Sequence, residues 1–222
     1  MDKPKIVVFA SGTAEGGGSG FKKLVEASRN GVLDAHIIGV VSNHERGGVW
    51  EKASALNVPF IHFAGKWSAA GYQSIARDTR ADFFALSGWL KLVSGLDPRT
   101  NFSPKTVFNI HPGPLPEFGG SGLYGHHVHE AVMKAFHQGK IRSSAVSMHF
   151  VTGEYDRGPV FFRVPVKIEP DDTPETLAER VNRCEHLYQA EITNLVVNGF
   201  IRWDGRSHHS VCPIFSSSKN FE

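Results

Sequence analysis

The sequence predicts an α/β fold, a doubly wound and mostly parallel sheet with helices on both faces. Three observations carry that prediction. Short apolar runs rich in β-branched and aromatic residues alternate with stretches of helical length. The first run ends in a long glycine-rich segment, Ser11-Gly12-Thr13-Ala14-Glu15-Gly16-Gly17-Gly18-Ser19-Gly20, which opens a helix. The 222 residues suffice for one generous domain and fall short of two ordinary ones.

In order, Ile6 to Ala10, Ile37 to Val41, Phe60-Ile61, Phe83 to Leu86 and Val107-Phe108 read as buried strands. Between them Phe21 to Arg29, Val49 to Leu56 and Ser68 to Arg77 read as helices, and Leu90 to Val93 as a short helical turn. Strand–helix–strand repetition implies right-handed crossovers and a sheet covered on both faces. The second half changes character: Ser144 to Val151 and Val160 to Ile168 read as strands, and Thr173 to Val197 as one long helix. Asp171-Asp172-Thr173-Pro174-Glu175 starts that helix with a capping Thr, Pro at the first helical position and an early acid; Gly199 closes it. Residues 1–206 are expected to form one domain and 207–222 a loosely packed tail, with Val211 to Phe215 docking.

Composition narrows the function. Formal charge is +2 with no basic block, so nucleic acid is not an expected partner. The opening apolar run, Ile6 to Ala10, is far short of a signal-peptide core or a membrane span; a cytoplasmic protein without a membrane partner is expected. The two cysteines, Cys184 and Cys212, form no metal-type pair and read as reduced thiols. His126, His127 and His129 lie in or beside a helix start with no acidic or cysteine ligands in register, so no metal is expected.

Two segments carry chemistry. In a parallel α/β sheet, ligands bind beyond the carboxyl ends of the strands, where helix N-termini present free N–H groups to anions. The glycine segment therefore reads as a phosphate or anion site, with Gly12, Thr13, Ala14 and Glu15 as its candidates; the alternative is a flexible connector. Its spacing is neither a Walker loop nor a dinucleotide fingerprint, and its glycines suggest a loop that orders on ligand binding. The second segment is Val107-Phe108-Asn109-Ile110-His111-Pro112-Gly113-Pro114-Leu115-Pro116. Asn109 and His111, two apart at a strand end, point to one side, and prolines fix the exit. An amide and an imidazole so placed are either structural hydrogen bonders or reactive groups.

A resemblance weights the second choice. Asn109-Ile110-His111-Pro112 with Leu115-Pro116, followed by Phe150-Val151-Thr152-Gly153-Glu154-Tyr155-Asp156-Arg157-Gly158-Pro159-Val160, is similar to the folate-dependent formyltransferase family, whose fold is Rossmann-like. The segment Phe118 to Val132 resembles one branch of it, and the likeness runs from about Lys5 to Trp203. The resemblance implies small-molecule substrates, with 10-formyltetrahydrofolate as co-substrate and the amine of glycinamide ribonucleotide as acceptor, in purine synthesis. An amino-sugar nucleotide is the alternative acceptor, and a catalytically silent folate- or nucleotide-binding module the alternative class. It implies Asn109, His111 and Asp156 as the catalytic residues, with Asn109 and a protonated His111 facing the oxyanion and Asp156 raising the pKa of His111; His149 supports them. Leu90, Lys91, Leu92 and Val93, with Val151, Thr152, Gly153 and Glu154, are the implied folate contacts, and Asn182 and Glu185 the acceptor contacts. Ala69 stands where some relatives carry a phosphate-binding Arg, with Lys22, Lys23 and Lys66 as the available substitutes. A monomer or a homodimer is expected.

Overall fold

The computed structural model describes residues 2–96, 107–207, 211 and 215–216. Its elements in chain order are β1 (Lys5–Phe9), α1 (Ser19–Asn30), β2 (His36–Ser42), α2 (Gly48–Ala55), β3 (Phe60–His62), α3 (Ala69–Thr79), β4 (Phe83–Ser87), β5 (Val107–His111), α4 (His126–His137), β6 (Ser143–Phe150), β7 (Val160–Lys167), α5 (Pro174–Val197) and β8 (Phe215–Ser216). The strands form one sheet in the order β3-β2-β1-β4-β5-β6-β7-β8. The first five pair in parallel, β6 runs antiparallel to both β5 and β7, and β8 pairs parallel to β7.

Alternation along β1 builds both layers. Ile6 and Val8 face a core with Leu24 of α1, Val132 of α4 and Leu177 of α5, while Val7 and Phe9 face Tyr72 and Ile75 of α3. Each such fully buried side chain contributes roughly 1.5–3 kcal/mol. α5 starts as expected. Thr173 and Thr176 cap each other reciprocally behind Pro174, and Asp172 accepts from Arg180 Nη2 at 2.9 Å. Among the described residues no helix is long and apolar enough to cross a membrane.

One expected element is absent. Residues Leu90 to Val93 form no helical turn. Gly88 leaves β4 with φ +75, Leu90 N donates to Ser11 Oγ at 3.0 Å, and Gly95 abuts Ala69 so closely that a Cβ there would lie 2.4 Å from the Ala69 Cβ. Trp89, Val93 and Leu96 are pulled into the core under α3, so tertiary burial outweighs a turn too short to sustain itself. At the C-terminus, Val211 is buried and Phe215–Ser216 adds β8 to the sheet; Cys212 lies outside the described residues.

Candidate active site

Strand order reverses between β1 and β4, which places a crevice beyond their carboxyl ends. Ser11 N donates to Gly88 O at 2.9 Å across it. The glycine segment folds there as a closed turn. Thr13 N donates to Gly16 O, Gly16 N to Thr13 Oγ1, both at 2.9 Å, and Gly48 N to Thr13 O at 3.3 Å. Gly12 has φ +66, and a Cβ on Gly17 would lie 2.3 Å from Gly12 Cα. The glycines at 12 and 17 thus serve close packing within the turn. α1 then begins behind a left-handed Gly18, with no side-chain cap and no acidic residue in its first turn. Its first N–H groups stay available to an anion.

That opening is one end of a cleft of about 440 Å³. Its walls include Gly12 and Thr13, then Gly17 to Gly20, Leu90, Asn109, His111, Asp156, Asn182 and Glu185. Ala14 and Glu15 are exposed and do not line it; the turn closes on Thr13 and swings them outward, so Gly17 to Gly20 line that end of the cleft instead. Leu90 faces this cleft and not the smaller pocket. The latter, about 40 Å³, is lined by Lys91, Leu92, Val93, Val151, Thr152, Glu154, Tyr155 and Trp89, with Gly153 outside the lining. Asn109, Tyr155 and Asp156 belong to both walls.

Strand register sets the reactive groups. Asn109 pairs with His149 and His111 with Ser147 across β5 and β6, so all four share one face. Ser147 Oγ donates to Gly113 O at 2.8 Å and accepts from Leu115 N at 3.3 Å, holding the proline loop over that face. The loop after β6 brings Asp156 back, in a left-handed conformation (φ +52). The turn tolerates only glycine at 158, where a Cβ would lie 1.7 Å from Phe150 O.

Asp156 sits between two buried histidines. Its Oδ2 lies 3.7 Å from His111 Nδ1 and accepts from Gly120 N at 3.1 Å. Its Oδ1 lies 3.4 Å from His149 Nε2 and 3.5 Å from Asn109 Nδ2. Backbone carbonyls fix the tautomers, because a carbonyl only accepts. His111 Nε2 donates to Phe118 O at 2.8 Å, leaving Nδ1 toward Asp156. His149 Nδ1 donates to Phe150 O at 2.9 Å, so its Nε2 accepts from Asn109 Nδ2 at 3.1 Å.

Burial holds His111 below the usual imidazole range; the Asp156 charge and the Phe118 carbonyl push upward but lose. For Asp156, burial pushes the carboxyl up, but its contacts with His149 and His111 and the Gly120 N–H together hold it below its ordinary value. Asp156 is thus a carboxylate.

On α5, Asn182 Nδ2 donates to Glu185 Oε2 at 3.3 Å. Burial at the cleft wall pushes the Glu185 carboxyl up to about 7 against that hydrogen bond. His186 Nε2 meets Ser19 Oγ at 3.0 Å, tying α5 to the start of α1. His129 also lines the cleft, and burial pushes it down to about 4. Among the described residues no group of three or more His, Cys, Asp or Glu side chains is arranged to hold a metal.

The model of the formyl transferase family matches residues 4–193. The chain belongs to that family. It is 34% identical over 208 residues to the chloroplastic phosphoribosylglycinamide formyltransferase of Arabidopsis thaliana, covering 90% of this chain and 68% of the relative. It is 33% identical to the enzyme of the same name from Vigna unguiculata, covering 90% of this chain and 63% of that one. Among solved structures, glycinamide ribonucleotide transformylase 1 from Symbiobacterium toebii superposes with a TM-score of 0.77 at 26% identity, covering 92% of each chain.

Sequence reasoning placed Ser87, Trp89 and Tyr155 in segments beside the folate pocket, but gave Tyr124 and Gln189 no role and read His126 and His129 only against a metal; all line one or both cavities. Aromatic residues in irregular segments carried no periodic signal, and the inward face of α5 could not be separated from its core stripe by spacing alone.

Proposed function

We propose that this family member transfers the formyl group of 10-formyltetrahydrofolate to the amine of glycinamide ribonucleotide. The observation that carries the reading is that Asn109 and Asp156 stand in the walls of both cavities, so substrates in the two meet at these groups. The larger cleft takes the ribonucleotide, with its phosphate at the uncapped start of α1 and its amine toward His111. Folate enters the smaller pocket between Lys91 to Val93 and the Val151 to Glu154 loop.

The amine attacks the formyl carbon, and a new C–N bond forms as negative charge grows on the formyl oxygen. In the resting site Asn109 Nδ2 is engaged by His149 and, at the weaker distance of 3.5 Å, by Asp156. The second contact is the one an oxyanion replaces, and a donor of this kind is worth roughly 3 kcal/mol in comparable sites. His111, in its protonated form, faces the same oxygen and keeps its proton through the step. The charged Asp156 compensates the imidazolium. Collapse breaks the bond from carbon to the folate nitrogen, and the proton shed by the amine reaches that nitrogen through a water held by Asp156. Glu185, with Asn182 behind it, holds the acceptor amine or its ribose hydroxyls.

The test is folate absorbance in the purified protein with and without glycinamide ribonucleotide. Consumption only with the acceptor is expected. Consumption without any acceptor, transfer only to a different amine, or no folate binding would each overturn the reading.

A further inference from the structure

One buried side chain of the larger cleft has no part in the chemistry above. Gln189, on the face of α5 that carries Glu185 and His186, is 2% exposed and lines the cleft. Its Oε1 accepts from Ser87 Oγ at 3.5 Å. Its Nε2 has no partner among the described residues, yet it is not one of the polar atoms sealed away from solvent. The amide donors therefore open onto the cleft. Buried donors left unpaired cost free energy, which a ligand accepting from them recovers.

Position and charge say which end of a ligand this is. A Cβ on Gly20, in the first turn of α1, would lie 2.8 Å from Gln189 Oε1 and 2.2 Å from Ser87 Oγ. Gln189 thus stands beside the free N–H groups at the start of α1, one turn along α5 from the His186–Ser19 contact. No Lys or Arg is among the described residues lining this cleft. Lys22 and Lys23 instead lie 3.7 and 3.1 Å from Glu26. Among the described lining residues, a phosphate at α1 meets N–H groups, hydroxyls and the His186 ring, and no Lys or Arg.

We propose that Gln189 is a specificity-determining residue, its Nε2 donating to the acceptor's phosphate as part of an uncharged phosphate cup. This rests on the reading of the acceptor as a phosphorylated amine. With no cation in the cup, a carboxylate at 189 would face the phosphate unscreened, whereas a neutral thioether would merely remove a donor.

The experiment compares steady-state kinetics of the wild type, Gln189→Glu and Gln189→Met on glycinamide ribonucleotide and on its dephosphorylated riboside. We expect the wild type to favour the ribonucleotide. Gln189→Glu should lower kcat/KM for the ribonucleotide about 100-fold, through KM, with riboside and folate parameters within about threefold. Gln189→Met should lower it about tenfold with the same selectivity. A wild type indifferent to the phosphate would overturn the reading of the acceptor. A wild type that favours the ribonucleotide, with equal losses on both acceptors in the variants, would overturn the role of Gln189. Should thermal melting show Gln189→Glu unfolded, the ribonucleotide-to-riboside ratio of Gln189→Met decides alone.

Discussion

The two cavities share Asn109 and Asp156 but are built in opposite ways. The larger, about 440 Å³, combines regular elements (the start of α1, the ends of β4 and β5, and the inward face of α5) with the glycine segment and the 120–125 loop. The smaller, about 40 Å³, is walled chiefly by two irregular segments around Lys91 to Val93 and Val151 to Glu154. Helices and strands hold donors at fixed positions, so on the proposed assignment these parts of the acceptor side are preorganised. Loops can open, so on the same assignment the folate side is expected to make its volume when its ligand arrives. One substrate site is then rigid and the other adaptable, with Asn109 on β5 and Asp156 on the loop after β6 shared between them.

If that division holds, damage to the shared groups must cost far more than damage to either wall. The largest effect is expected from His111→Ala, which should lower kcat about 100-fold or more, roughly 3 kcal/mol, with the fold intact by circular dichroism. Turnover near wild type would remove His111 from the chemistry. Next comes the rigid wall. Glu185→Ala should raise the acceptor KM about tenfold and leave the folate KM unchanged; equal losses for both substrates would make Glu185 a structural residue. The Glu185 carboxyl is pushed up to about 7, so its charged fraction in the free protein rises as pH climbs through that value. Acceptor kcat/KM should therefore fall as pH drops from 8 to 6, and Glu185→Gln should flatten that limb of the profile. The smallest effect belongs to the adaptable wall. The Lys91 ammonium lies 4.3 Å from the centre of the Trp67 ring. Its loss in Lys91→Ala should raise the folate KM only about threefold, with the acceptor KM unchanged.

The rigid wall also disqualifies one obvious variant. Gly12→Val suggests itself as a way to crowd out a phosphate. In the structure a Cβ at Gly12 would lie 2.7 Å from Val49 Cγ2, at a φ of +66. The substitution would break the turn itself, so the phosphate is better probed from α5.

Legibility in the sequence followed the range of the contacts. Asn109 and His111 were readable because two residues on one strand share a face whatever the rest of the chain does. Asp156 lies 47 residues from Asn109, and only the family resemblance linked them. The capped start of α5 was written locally in Thr173 and Pro174 and formed as read. Leu90 to Val93 misled because four residues carry too little periodicity to outvote burial under α3. The antiparallel turn of β6 left no local mark, since a strand buried on both faces reads alike in either direction. Gln189 was invisible for a like reason: its meaning depends on Ser87, 102 residues away.

The most direct test of the shared centre is Asp156→Asn, measured as turnover together with calorimetric Kd values for folate and for acceptor. Asparagine tolerates the left-handed backbone at 156, and its Oδ1 can keep the Gly120 N–H, so the loop should survive while the charge beside His111 is lost. Turnover should fall about 100-fold while both Kd values stay within about threefold, roughly 3 kcal/mol lost in the reaction step alone. Turnover near wild type, or a loss wholly matched by weaker binding of one substrate, would contradict a reactive centre shared by the two cavities.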